Sequence, residues 1–432
     1  MDKMRPFQLI LLAVFGFSAV LGLILFANFG GFGGSKENIG AVTIWGSLPK
    51  VAMEERLTAL STGSDAYAGV VYVEIAPESF GSALSNAIAS GAGPDLVLIT
   101  QEQLTSESSK LQLVSFATIP QRTYLDSYLS LFELFLTPEG TYGVPYLVDP
   151  LVLYYNRPAL ASAGMATPPT TWEAISALVP TMTLRDGAGT ISRSAIALGE
   201  YANIQNARGL MSLLFLQSGT PITEVTTQGI RSALVGEKSF GQTPAESALN
   251  FYTQFANPAK TVYSWNRSLP NSRQAFLAGD LAFYIGYASE LPYLQEANPN
   301  LDFDMAGVPQ PGNGTSQSTY ALGYAFALPK QTVNPTGAFT VATALTEAAA
   351  MKAAAEKLSV APARKNALTA SAGDTFAPII YQSALLSKAW LSPASSVTDG
   401  IFAGMISNVT SGRLDVTQAL ISAEQSFNAS LR

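Results

Sequence analysis

Residues 143–156 read GVPYLVDPLVLYYN and constrain the fold of this chain more than any other stretch. Pro145 and Pro150 each lack a backbone N–H and hold φ near about −65°, which disfavours a helix through the segment and leaves an extended path. The apolar run at 151–155 then reads as a buried strand. Residues 157–164 fit a short helix closed by Gly164, and Pro168-Pro169-Thr170-Thr171-Trp172-Glu173 fits a rigid lead into another helix, with Thr170 or Thr171 as its cap. A stiff extended crossing in mid-chain predicts a hinge between two lobes.

The chain is long enough for two such lobes, at 432 residues, and its 48% hydrophobic and 13% charged residues place it among globular proteins. The net charge of −7 comes without any cluster of Lys or Arg, which argues against nucleic acid and against anionic ligands as partners. Cys and His are both absent. Disulfides, thiolate metal sites, thiol nucleophiles and His-based acid/base schemes are therefore excluded, and no metal or cofactor is expected.

Residues 9–27 form an almost unbroken apolar run, with Lys3 and Arg5 before it and no charge until Lys36. That is close to the roughly 20 residues a helix needs to cross a bilayer, and the basic flank places the N-terminus in the cytoplasm. A cleavable signal peptide is the alternative, but no A-x-A-like site follows the run. The expectation is an uncleaved signal anchor with the bulk of the chain outside the membrane, joined through a flexible linker at 30–38.

Further along, residues 41–45, 70–75 and 95–99 read as strands, alternating with helices at 49–60 and from about Glu78 to Gly91. This is the pattern of a parallel sheet covered by helices, whose ligands bind at the carboxyl ends of the strands. Those ends are Trp45-Gly46-Ser47, 76–78 and Thr100-Gln101-Glu102. Later segments read as helices at 206–217, 245–255, 271–277, 338–357, 400–411 and 416–431, the last capped by Asp415 with Gln418 three residues on. Strands are expected at 281–285 and 320–329.

Four phrases in order carry a resemblance to a known family. They are Val-Pro-Tyr with its following Tyr-Tyr-Asn and Pro-Pro-Thr-Thr-Trp-Glu, the run FLAGDLAFYIGYASEL from Phe276, DMAGVPQPG from Asp304, and LSVAPARKNAL from Leu358. Together they resemble the family 1 extracellular solute-binding proteins, the sugar-binding components of ABC importers of the maltose-binding type. The resemblance implies an α/β, two-lobed periplasmic-binding-protein-like fold with three hinge crossings, preceded here by one N-terminal transmembrane helix. Residues 1–35 would be the cytoplasmic stub, anchor and start of the linker. Lobe 1 would be 36–149 plus 308–360, and lobe 2 would be 150–307 plus 361–432. It further implies capture of a small solute, a neutral sugar or oligosaccharide, for delivery to the membrane subunits of a permease, with no chemistry of the protein's own.

The site residues follow from the same resemblance. Glu102 stands where similar proteins place a carboxylate on sugar hydroxyls; the plain alternative is a solvated residue in a first helical turn. Ser47 is a polar contact or a helix-leading residue. Asp149 faces the cleft or simply initiates the turn at Pro150. Tyr146, Trp265 and Tyr287 are candidate ring platforms, and Ser289 falls at the closest register to the family's stacking tryptophan. One enzymatic reading stays open, Glu102 and Asp149 as a glycosidase pair; Ser47-Leu48-Pro49-Lys50 satisfies S-x-x-K but lacks the companion motifs and reads as a chance match. A carbohydrate-active enzyme or a surface interaction protein on the same fold is the alternative function.

Overall fold

The computed structural model describes residues 39–236, 241–312, 314 and 317–431. The apolar run at 9–27 lies outside them. Among the described residues no helix is long and apolar enough to cross a membrane.

The chain opens with β1 (Val42–Gly46), α1 (Lys50–Gly63), β2 (Val70–Glu74), α2 (Phe80–Ala89) and β3 (Leu96–Thr100). β1 pairs in parallel with both β2 and β3. All five β3 side chains are buried, as a strand covered on both faces requires. Directly after β3 comes the short helix α3 (Gln101–Glu107), started by a capping box in which the Gln103 carboxamide accepts from the Thr100 N–H at 2.9 Å.

The expected crossing at 143–156 is one continuous strand, β4 (Val144–Asn156), 13 residues long and buried almost throughout. The two prolines do not divide it, and the ladder shows why. Pro145 sits beside a bulge at Tyr146, where the register against the returning strand slips. Pro150 marks the point where β4 changes neighbours. Residues 144–150 pair with β8 (Thr319–Pro329), whereas 151–156 pair with β6 (Leu281–Tyr287) and β7 (Phe303–Gly307).

Among the described residues, β4 is the spine of a sheet ordered β2-β1-β3-β8-β4-β6-β5, where β5 is Ile191–Ile196, with Leu184–Arg185 at its far edge. The two-residue strand β9 (Ala361–Pro362) returns to β4 at Leu147 and Val148. Between β5 and β6 lies α4 (Ala207–Ser218), buried over most of its length.

One expected helix proves to be two. The Ala-rich run at 338–357 forms α5 (Pro335–Leu345) and α6 (Ala348–Leu358), broken at Thr346 and Glu347. Glu347 is extended, with ψ of 146°. The Thr346 carbonyl, freed from the helix ladder, accepts from Arg364 Nε at 2.7 Å. The chain ends in α7 (Ser395–Thr410) and α8 (Val416–Ser430), the latter with the expected Asp415/Gln418 capping box. Phe402 of α7 and Phe427 of α8 meet edge to face, and both rings also pack against Trp390.

Candidate functional site: a cavity at the strand ends

Parallel strands that end side by side leave their carboxyl termini, and the helices that follow, around a common crevice. Here that crevice is a cavity of 530 Å³. One wall carries Ser47 after β1, Glu78 after β2, Ser82 on α2 and Glu102 and Ser106 on α3. The opposite wall carries Arg208 of α4 with Ser395, Ser396 and Asp399 of α7. Leu322 and Tyr324, two apart on β8 and so on one face of it, also line the cavity. A larger cavity of 690 Å³ lies between residues 250–260 and 409–412, but its walls are helix and turn residues only, without a strand end or an acidic side chain.

An ion-pair chain joins the two walls. Arg208 donates to Glu102 in a fork, Nε to Oε1 at 3.1 Å and Nη2 to Oε2 at 2.7 Å. Its Nη1 donates to Asp399 Oδ2 at 2.6 Å. Glu102, only 3% exposed, also accepts from the Tyr320 hydroxyl and from Ser395 Oγ at 3.2 Å. Asp399 accepts in turn from the Tyr201 hydroxyl. Burial acts to lower the Arg208 pKa, but the Glu102 and Asp399 carboxylates outweigh it and the net shift is upward, so the guanidinium stays charged. The hydroxyls of Tyr287 and Tyr320 are pushed well up, by burial first and by the Glu102 charge second. Both remain neutral donors.

Of the residues singled out from sequence, Ser47 and Glu102 stand on this cavity. Asp149 and Ser289 are brought together: the buried Asp149 carboxylate, on β4, accepts from the Ser289 N–H at 3.0 Å. Burial drives the Asp149 pKa up to about 7, against the pull of its bonds to Ser289 and with a further push from Glu290. Tyr287 is half-buried at the end of β6, its hydroxyl close over Gly209. Two expected platforms are packed elsewhere. Trp265 is 1% exposed in the core, its indole N–H donating to Asn203 Oδ1 at 3.1 Å. Tyr146, at the β4 bulge, lies against Phe326 with ring centroids 4.8 Å apart and no exposure. Nearly every side chain of β4 is buried, on both faces, and Tyr146 is no exception.

Sequence reasoning missed Arg208, Asp399, Ser395 and Tyr324. Arg208 carried a readable signal, since it is the only charged residue in the apolar helix ARGLMSLLFLQS. A buried helix keeps a charge only where a partner meets it. No group of three or more carboxylates able to hold a metal ion occurs among the described residues.

This fold and this placement of the cavity define a periplasmic-binding-protein-like α/β protein. The model of the bacterial extracellular solute-binding protein family matches residues 64–377, and the chain belongs to that family. It is a solute-binding protein. Solved structures of the same fold include an ABC transporter solute-binding protein from Thermotoga lettingae bound with α-D-tagatose, with 19% identity, 91% of this chain and 100% of that chain covered and a TM-score of 0.68. The cyclic α-maltosyl-1,6-maltose binding protein of Arthrobacter globiformis shares 17% identity over 91% of this chain and 99% of its own, with a TM-score of 0.72. The maltose/maltodextrin-binding domain MalE of Bdellovibrio bacteriovorus, bound to maltotriose, gives 16%, 91%, 100% and 0.68. A comparison with curated proteins gave no match.

Proposed function

We propose that this chain captures a neutral mono- or oligosaccharide in the strand-end cavity and delivers it to the membrane subunits of an ABC importer. The observation that carries the reading is the cavity itself. Hydroxyls of Ser47, Ser82, Ser106, Ser395 and Ser396 surround 530 Å³ of space at the carboxyl ends of parallel strands, with Tyr324 as the ring within it. Hydroxyls and carboxylates match the donor and acceptor pattern of a polyol, and a phenol ring offers its face to sugar C–H groups. The likeness to proteins solved with tagatose, maltotriose and other saccharides supports the class of solute.

In this reading lobe 1 is 36–149 plus 308–360 and lobe 2 is 150–307 plus 361–432. The crossings are β4 near Pro150, the stretch at 306–309 where β7 ends, and β9. Ser47, Glu102, Asp149, Tyr287 and Ser289 belong to the site or its hinge, and Tyr324 takes the place of Trp265 and Tyr146 as platform. The run at 9–27 serves as a membrane anchor, leaving the bulk of the chain extracytoplasmic.

Calorimetric titration of the full chain with tagatose, maltose, maltotriose and mannobiose tests the reading. At least one saccharide should bind, and Tyr324→Ala should weaken it about tenfold, roughly 1.4 kcal/mol. Binding of amino acids or peptides and of no saccharide would refute the solute class.

A further inference from the structure

We propose that a separate cavity, of 190 Å³, binds the ammonium head of a primary alkylamine. It lies between α6 and the helices Leu291–Ala297 and Ala377–Leu385, and it shares no lining residue with the strand-end cavity. Leu291, Val360, Phe376 and Ile380 give it apolar walls. Glu356, Asp374 and Tyr381 supply polar groups, with Gln295 and Ser359 beside them.

Glu356, Asp374 and Tyr381 each keep an acceptor with no partner among the described residues. Tyr381 is only 4% exposed, and its hydroxyl makes no hydrogen bond. A buried polar group left in that state carries a cost that a ligand can remove. Asp374 engages Oδ1 with the N–H groups of Phe376 and Ala377, both at 2.9 Å, and leaves Oδ2. Glu356 accepts from Ser371 through Oε1 and leaves Oε2. Lys352, one turn earlier on α6, comes only to 3.9 Å of Oε1 and does not line the cavity. The Tyr381 pKa is pushed up to about 12, by burial first and then by the Glu356 and Asp374 charges, so the hydroxyl stays protonated and both carboxylates bear on it.

Three acceptors beside apolar walls define the guest. A primary ammonium carries three N–H donors and no acceptor, and its alkyl chain suits the surface of Leu291, Val360 and Ile380. Phe376 adds an aromatic wall, which favours a cation over a neutral guest. The net charge of −7 draws cations as well. A metal ion fits this lining poorly, since a hard cation needs about six oxygen ligands.

Saturation-transfer NMR on the full chain tests the site with n-butylammonium as the probe, independently of any saccharide. The expected result is saturable binding. It should be at least severalfold weaker for n-butanol, which is neutral, and for tetramethylammonium, which has no N–H. Glu356→Gln/Asp374→Asn should abolish binding of the probe, and Tyr381→Phe, which keeps the ring, should weaken it severalfold. A melting temperature near the parent's checks that each variant is folded. A lysine tripeptide blocked at both ends separates the sources of the amine: it displaces the probe if the guest is a partner protein's lysine, and fails to do so if the guest is a free amine. No saturable binding, equal binding of n-butanol or tetramethylammonium, or binding unchanged in either variant would overturn the proposal.

Discussion

The Ser289 N–H reaches 3.0 Å to Oδ1 of Asp149, tying the turn after β6 to the middle of the strand that both halves of the sheet share. The carboxyl it meets is buried, with Glu290 as the nearest added negative charge and Tyr154, Tyr287 and Tyr324 around it. Its pKa is raised from 3.8 to about 7. The folded state therefore binds the proton more tightly than the unfolded state does. The stabilisation this group provides is complete below about pH 4 and declines as pH rises to about 7, by an amount on the order of a few kcal/mol.

Asp149→Asn keeps an oxygen for the Ser289 N–H and removes the charge. The variant should melt higher than the parent at pH 8, with the difference shrinking to near zero at pH 4. Thermal unfolding at both pH values checks this, and a parent-to-variant difference that does not change with pH would contradict it.

Gly209 lies beside Arg208 in α4, and a Cβ there would stand 2.8 Å from the Tyr287 hydroxyl oxygen and 3.4 Å from Leu151 Cδ1. In an open helix, replacing Gly with Ala gains up to about 1 kcal/mol. Here the contact with Tyr287 should cancel or reverse that gain, leaving Gly209→Ala neutral or destabilised by about 1 kcal/mol. Urea denaturation measures it. A clearly more stable variant would show that Tyr287 moves freely, and that the site does not depend on this close approach.

The N-terminal proposal has its own readout. Lys3 and Arg5 precede the apolar run without a cleavage site after it. Intact mass of membrane-extracted protein should include Met1 or Asp2 and the whole run. A mature chain starting near Phe29 would show a cleaved signal peptide instead.

The sequence made the sheet legible because β1, β2 and β3 are short apolar runs alternating with helices, and that order located Ser47 and Glu102 at strand ends. Legibility failed where one residue has two neighbours in space. Pro145 and Pro150 read as an extended crossing ahead of a strand at 151–155, yet a bulge and a change of partner let a single strand hold both. Trp265 read as a platform because sugar C–H faces stack on aromatic rings; nothing local shows that Asn203, 62 positions away, would receive its N–H in the core. The Arg208 fork joins residues 106 positions apart, and Asp399 lies 191 beyond Arg208. Such pairings come from tertiary packing and leave only an indirect trace, a lone charge in an apolar helix.

The central claim is that solute occupies the cavity at the strand ends, and a crystal structure of the chain soaked with a saccharide shown to bind tests it most directly. The account predicts sugar density within hydrogen-bond reach of Ser47 and of the α7 hydroxyls at Ser395 or Ser396, with a ring face against Tyr324. Density in the 690 Å³ cavity between residues 250–260 and 409–412, with the strand-end cavity empty, would contradict it.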